Sequence, residues 1–244
     1  MNKPIYEPRG RAREYGELAV NIYTGCNHGC FYCYAPAVLH RGREVFEEVQ
    51  PRPGIVEAVQ RQLEREKITG RTIFLCFTCD PYPADIDTAP TRAVIQAIKE
   101  SGNNVRILTK ATSRARRDWD ILDRGDTFGV TITGPTRWSR ENEPKADTTE
   151  RRLLDLEELH AHGLKTWVSL EPVFFPRMVY KVIQGCDFID LFKIGKLNHA
   201  ATPPEVTEEG GWAAFGKEAE RLCRAYGRDC YIKEDLRAEM ERRE

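Results

Sequence analysis

Cys26-Asn-His-Gly-Cys30-Phe-Tyr-Cys33 places three thiols in one short glycine-containing loop, with three and then two residues between them. Thiolates bind iron, and a [4Fe–4S] cluster normally takes four of them. Three from one loop leave one iron open. An open iron can be chelated by an amine and a carboxylate, as carried by S-adenosylmethionine (SAM). One electron from the cluster can then break a carbon–sulfur bond and give a 5′-deoxyadenosyl radical. Two plainer readings stand beside this one. Structural zinc needs a fourth ligand in tetrahedral geometry. His28 is in the loop, but four ligands within eight residues crowd one ion, and the usual pair of CxxC knuckles is absent. A disulfide framework does not suit eight cysteines spread over 244 residues.

The elements that must hold this loop follow from the pattern around it. Apolar, β-branched runs predict strands over Leu18–Tyr23, Thr72–Phe77, Val105–Thr109, Phe128–Thr133, Thr166–Leu170 and Ile189–Ile194. Helical periodicity lies between them, over Ile55–Lys67, Thr91–Glu100, Arg117–Leu122, Thr148–His162, Arg177–Ile183 and Gly211–Tyr226. Strand–helix alternation argues a parallel sheet, and six such units fall two short of a closed (β/α)8 barrel. The expected fold is α/β, an open (β/α)6 partial TIM barrel with a short C-terminal extension. Its expected parts are an N-terminal arm (1–17), a core (18–197) and a C-terminal extension (198–244). Hydrophobic residues at 41% and charged residues at 31% suit a globular chain, and a net charge of −1 argues against a globally basic nucleic-acid binder. MNKPIYEPRG has no apolar leader pattern. With reduced thiols, that points to the cytoplasm.

Strand parity predicts the lumen. Side chains alternate faces along a strand, and one parity of each expected strand turns polar toward its C-terminal end. That parity carries Asn21 and Tyr23; Cys76, Thr78 and Asp80; Arg106 and Lys110; Thr131 and Thr133; Ser169 and Glu171; and Lys193. Unpaired polar groups are costly to bury. Their convergence predicts a ligand-filled lumen opening at the C-terminal mouth, where barrel enzymes bind ligands.

The cysteine spacing, with Tyr32 before the last thiol, resembles the radical SAM superfamily. Within it, NIYTGCNHGCFYCYAP, Cys76-Phe-Thr78-Cys79-Asp80-Pro81-Tyr82, Leu108-Thr109-Lys110, Arg117-Asp118-Trp-Asp120 and Glu143-Pro144 resemble, in that order, the spore photoproduct lyase-like group. The resemblance implies a partial barrel, a [4Fe–4S] cluster on Cys26, Cys30 and Cys33, and SAM as cofactor. It implies Tyr32 at the adenine, Thr78 and Asp80 at the methionine amine, and Lys110 at the methionine carboxylate or ribose edge. It further implies Thr131 and Ser169 at the ribose or carboxylate, Glu171 at the ribose or amine, and Lys193 to Asn198 flanking the adenine. For the reaction it implies a hydrogen-returning cysteine, Cys76 or Cys79, assisted by Tyr34. An ungapped count from the cluster puts Phe77, not a cysteine, at the donor position.

The resemblance also implies a lyase-like enzyme with an electron donor such as flavodoxin or ferredoxin, acting on a nucleic-acid or nucleotide lesion. Arg114, Arg116 and Arg117 after the third expected strand, and Arg137 and Arg140 around Trp138 after the fourth, are the candidate phosphate and base contacts. A radical SAM enzyme acting on a peptide or small metabolite, and a non-catalytic iron–sulfur or zinc module, are the alternatives. A glycyl-radical activase fits less well, because the second expected strand ends in Thr-Cys-Asp and not Gly-Gly-Glu.

Overall fold

The aliphatic runs become strands and assemble in chain order. The computed structural model describes residues 3–198 and 200–242. Its strands are β1 (Ile5–Tyr6), β2 (Leu18–Val20), β3 (Thr72–Leu75), β4 (Asn104–Thr109), β5 (Thr127–Thr131), β6 (Lys165–Leu170), β7 (Leu191–Ile194) and β8 (Cys230–Ile232). They form one sheet in the order β1 to β8, parallel from β2 onward, with β1 antiparallel on β2. The two edge strands do not pair with each other, so the barrel is open. The six expected strands are β2 to β7. The sequence reading left out β1 and gave Cys230–Lys233 no strand, so seven strands run parallel.

The helices are α1 (Ala35–Val38), α2 (Arg43–Glu47), α3 (Ile55–Glu66), α4 (Ala89–Glu100), α5 (Thr112–Ala115), α6 (Thr136–Asn142), α7 (Thr149–Ala161), α8 (Pro176–Gly185), α9 (Pro204–Glu208), α10 (Gly211–Ala225) and α11 (Glu234–Glu241). Two 3-10 turns cover Gly10–Glu14 and Arg116–Ile121. The long helices bury the apolar stripes that predicted them, such as Val94, Ile95 and Ile98 on α4. After α7, Gly163 takes φ +85, the left-handed conformation that ends a helix at little cost to glycine. None of the described helices is long and apolar enough to cross a membrane.

Two cores result. The larger lies between sheet and helices and takes the Ile, Val and Leu parity of every strand. The smaller fills the lumen with Tyr15, Ala19, Phe74 and Trp167, edged by Phe77, Leu108 and Leu191. Gly129 makes this packing possible, since a Cβ there would stand 2.2 Å from the Trp167 ring. The parity reading holds along β4, β5 and β6 and fails at two places. Cys76 has φ +70, so the chain kinks as it leaves β3. Its side chain joins the outer core, and Phe77 turns into the lumen to stack on Phe74 at 4.3 Å. Asn21 stabilises the kink by accepting from the Phe77 and Thr78 amides at 2.8 and 2.9 Å. Tyr23 also leaves the lumen series, its hydroxyl 2.8 Å from Thr91 on the outer helix α4.

Candidate active site at the barrel mouth

The cysteine loop follows β2 and is strapped down by α2. Cys26 N–H donates to the Phe46 carbonyl at 3.1 Å. Gly25 permits that approach, because a Cβ there would lie 1.9 Å from the same oxygen. Arg43 spreads its guanidinium over the Cys30 and Phe31 carbonyls, both at 2.8 Å. Asn27 exchanges two hydrogen bonds with Ala84. His28 is buried, with Nε2 3.1 Å from the Tyr82 carbonyl and Nδ1 3.6 Å from Asp80. Both of its nitrogens therefore face protein partners, which removes it as the fourth ligand of a zinc site.

Burial pushes the Cys26 thiol well above its ordinary range, helped by Asp80 and by the other two cysteines. Cys30 is pushed up to about 11, mainly by burial and against the pull of Lys110. Burial and nearby negative charge disfavour thiolates at Cys26 and Cys30, and a cationic iron bound to each would offset both. Among the described residues no three His, Cys, Asp or Glu side chains are grouped to hold a single metal ion. A cubane takes one thiolate per iron, so three thiols distributed around one loop suit a cluster.

Beneath the loop runs a buried polar brace. Arg152 of α7 is fully buried and donates to the Thr131 carbonyl at 2.8 Å, to the Lys110 carbonyl at 3.2 Å and to Glu143. Glu143 also accepts from the Tyr32 hydroxyl and from Thr133 Oγ1 at 2.9 Å. Burial works to raise the Glu143 carboxyl, but Arg152 and Lys110 outweigh it and hold it below the ordinary glutamate value. Trp138 lies parallel on the Tyr32 ring at 6.0 Å, and the Lys110 ammonium sits 5.5 Å from its centroid. That ammonium has no hydrogen bond or ion pair among the described residues. Burial alone would lower it, but Cys30 and Glu143 raise it, so it stays charged.

The other sequence candidates divide. Thr78 Oγ1 is buried with no partner, the mark of a hydroxyl left for a ligand. Asp80 accepts from Tyr82 N at 2.9 Å, Thr109 Oγ1 at 2.6 Å and Lys110 N at 3.0 Å, with His28 Nδ1 at 3.6 Å. These three donors leave Oδ2 with one open acceptor site of the carboxylate's roughly four. Asp80 thus ties the second and third expected strands to the cysteine loop. Cys76 is a correction, because the kink turns its thiol into the outer core, against which Cys79 also packs. Cys79 is half-buried, and Tyr34 is mostly exposed with its hydroxyl on the Phe77 carbonyl at 2.6 Å.

Deeper in the lumen, Thr131 is buried, and Ser169 Oγ lies 3.0 Å from the Tyr15 hydroxyl. Glu171 accepts from Tyr15 at 3.1 Å and pairs with Lys233. Lys193 donates to the Glu14 carbonyl and sits 4.6 Å from the Tyr15 ring. The N-terminal segment packs over it. Asn198 donates to Asp235 of α11 at 2.7 Å. Sequence reasoning missed Arg152, Tyr15 and Lys233. Arg152 left a signal, a basic residue on the stripe of Leu156 and Leu159. Tyr15 and Lys233 lie in stretches whose pairing partners are far away in sequence.

The arginine candidates carry internal partners. Arg114 donates to the Ile86 carbonyl, Arg116 pairs with Asp155 at 2.6 Å and with Glu158, and Arg117 pairs with Asp87 at 3.2 Å. Arg137 pairs with Glu141 at 3.3 Å on α6. Arg140 stays exposed, while Trp138 is packed on Tyr32 and on Phe174 at 4.9 Å.

The profile of the Radical SAM superfamily matches residues 20–184. The chain belongs to the radical SAM superfamily. An uncharacterized protein of Mycobacterium tuberculosis is 28% identical over 166 residues, 63% of this chain and 48% of that protein. An uncharacterized protein of Methanocaldococcus jannaschii is 25% identical over 178 residues, 70% of this chain and 64% of that one. The chain thus spans about half the length of its mycobacterial relative. Among solved structures, a spore photoproduct lyase mutant superposes with TM-score 0.69 at 15% identity, covering 93% of this chain and 79% of the lyase. A further lyase mutant, with bound AdoMet and dinucleoside spore photoproduct, gives 0.64 at 16% identity over 89% and 76%. Streptococcus suis SuiB bound to S-adenosylmethionine gives 0.61 at 12% identity over 88% and 45%. At these identities the likeness is one of fold.

Proposed function

We propose that this chain is a radical SAM enzyme, holding a [4Fe–4S] cluster on Cys26, Cys30 and Cys33 and abstracting hydrogen from a substrate at the barrel mouth. The observation that carries the reading is the set of groups left unpartnered around the cysteine loop. The Thr78 hydroxyl is a buried orphan, and the Lys110 ammonium is charged with no direct hydrogen bond or ion pair among the described residues. With a cluster and SAM bound, an electron splits SAM into methionine and a 5′-deoxyadenosyl radical. The protein's part is to bind and orient. Lys110 would meet the methionine carboxylate and Thr78 the methionine end. Tyr32, fixed by Glu143 and Trp138, would border the adenine. The aromatic packing below keeps water from the lumen, which protects a radical from quenching. Cys79, with Tyr34 beside the mouth, is the remaining candidate for returning hydrogen. An electron donor such as flavodoxin or ferredoxin supplies the reductant.

For the substrate we propose a nucleotide lesion, supported by the fold shared with a lyase bound to a dinucleoside photoproduct. Anaerobic reconstitution with iron and sulfide, then SAM and dithionite, tests both parts. The expected result is 5′-deoxyadenosine, increased by a thymine-dimer dinucleotide. A full cluster that releases none would overturn the enzymatic reading. Release that the dinucleotide leaves unchanged would overturn the substrate and favour a peptide or small metabolite.

A further inference from the structure

Glu171 has one oxygen committed and one free. Oε2 accepts from the Tyr15 hydroxyl at 3.1 Å and pairs with Lys233. Oε1 accepts nothing among the described residues. The carboxylate lies over Gly195, where a Cβ would stand 2.8 Å from the carboxyl carbon and 2.9 Å from Oε1. Lys233 is buried and also reaches Glu14 at 3.5 Å, and its amide donates to the Ile194 carbonyl at 2.8 Å. The end of β8 is thereby pinned beside β7. Neither Tyr15 nor Lys233 lies in the stretch matched to the superfamily, residues 20–184.

We propose that Tyr15 and Lys233 are positioning residues, which hold Glu171 as a carboxylate with Oε1 presented to a hydrogen-bond donor of bound SAM. The inference rests on the reading that SAM occupies this mouth. Tyr15 also meets Ser169 at 3.0 Å and Lys233 also reaches Glu14, and both act on the ligand through Glu171. Without Lys233 the half-buried carboxylate would keep one neutral donor, and partial burial then favours its protonated form. The groups facing Glu171 are few. Lys233 comes from the residue after β8, Tyr15 and Glu14 from the N-terminal segment, Lys193 from β7, Asp235 from α11, and Tyr34 from the end of the cysteine loop. Burial already pushes the Glu171 carboxyl up, and Asp235 adds to this. Lys233 and Tyr15 pull it back. Protonation would convert one of the two oxygens from acceptor to donor, and a SAM hydroxyl or amine would lose its partner.

The test is SAM binding by the full, cluster-loaded chain, followed by the EPR change of the reduced cluster and by calorimetry over about pH 6–8, where a buried carboxyl without its cation titrates. Wild type is expected to bind with nearly constant affinity. Lys233→Met should carry as much iron, yet bind about ten-fold more weakly at the acid end, the weight of one charge-assisted hydrogen bond. It should recover as the pH rises. Lys233→Arg should restore the wild-type profile, and Glu171→Gln should be weak and flat. A Lys233→Met protein with wild-type affinity and a flat profile would overturn the proposal. Should Lys233→Met fail to fold, Tyr15→Phe removes one bond from the same oxygen and should show a smaller pH-dependent loss; an unchanged profile there overturns it equally. Wild type that takes up a cluster and binds no SAM would instead bring down the proposed function on which this rests.

Discussion

The mouth and the floor of this barrel are built by different means. At the mouth, the three thiols and their strap come from residues 25–46, a single stretch of chain, which Tyr82, Ala84 and Glu143 then pin from farther along the sequence. At the floor, Tyr15, Ser169 and Lys193 meet from three places, with 154 residues between Tyr15 and Ser169 and 179 between Lys193 and its partner Glu14; Glu171 and Lys233, just past the ends of β6 and β8, stand above them at the mouth. The mouth also keeps groups in reserve, the Thr78 hydroxyl and the Lys110 ammonium. The floor spends nearly all of its charges on itself. One region is arranged to receive something and the other to close a lumen, and the family profile covers the first while missing much of the second.

The largest contrast is expected on cutting the ligands. Cys30→Ala should lose cluster iron and bring 5′-deoxyadenosine to background, whereas Lys193→Met at the floor should keep full iron. Iron and sulfide analysis with chromatography of the products measures both. If Cys30→Ala still assembled four irons, the mouth would not be the cluster site and the comparison would break.

Next comes the brace that joins the two regions. Arg152 and Glu143 form a fully buried ion pair. Breaking such a pair by removing one partner costs about 3–5 kcal/mol, since it leaves a charge buried and alone. Arg152→Met should therefore lower the denaturant midpoint strongly. The same pair fixes a pH limb. Glu143 is held below its ordinary value in the folded state, so its contribution is fully present above about pH 4.3, the unfolded glutamate value. It is lost as pH falls through the folded value. Glu143→Gln should flatten that part of the acid limb in denaturation curves taken at successive pH values.

How much of this was legible follows from the same contrast. The cysteine loop could be read because its ligands are local and their spacing has few other uses. Strands β2 to β7 could be read because parallel strands buried on both faces leave apolar runs. The kink at Cys76 could not, since a left-handed cysteine has no compositional signature, and it moved one candidate out of the lumen while putting Phe77 in. Asp80 could be placed in the lumen by parity; its three donors become visible only when β3, β4 and the cysteine loop are placed together. The partners of the arginines were hidden for a related reason. Charge in a sequence does not say whether a carboxylate on another helix pairs with it, as Asp155 pairs with Arg116.

Two glycines sharpen the comparison at a smaller scale. Gly129→Ala pushes a methyl group into the Trp167 ring, and overpacking of this kind costs about 1–3 kcal/mol. It should lower stability with iron content unchanged. Gly25→Ala would drive a methyl group against the Phe46 carbonyl. There the loop is expected to shift, so iron loading should fall by a larger fraction than stability does. Equal losses of iron and stability in both variants would mean that the two regions fold and bind as one unit.

The smallest effect is a slope. Burial, with Arg106 nearby, lowers the Lys193 ammonium to about 8. In the unfolded chain a lysine keeps its proton to about pH 10.4. Below the folded value both states are protonated, and the cost of burying the charge is fully present. Between the two values the unfolded state binds the extra proton, so this group makes stability rise with pH. The rise ends once both states are neutral. Lys193→Met should remove that alkaline rise, leave the chain no less stable at neutral pH, and keep the cluster loop intact. A wild-type curve already flat over this range, or a Lys193→Met variant that loses iron, would show that the lysine at the floor is tied to the mouth after all, through Glu14, Tyr15 and the carboxylate of Glu171.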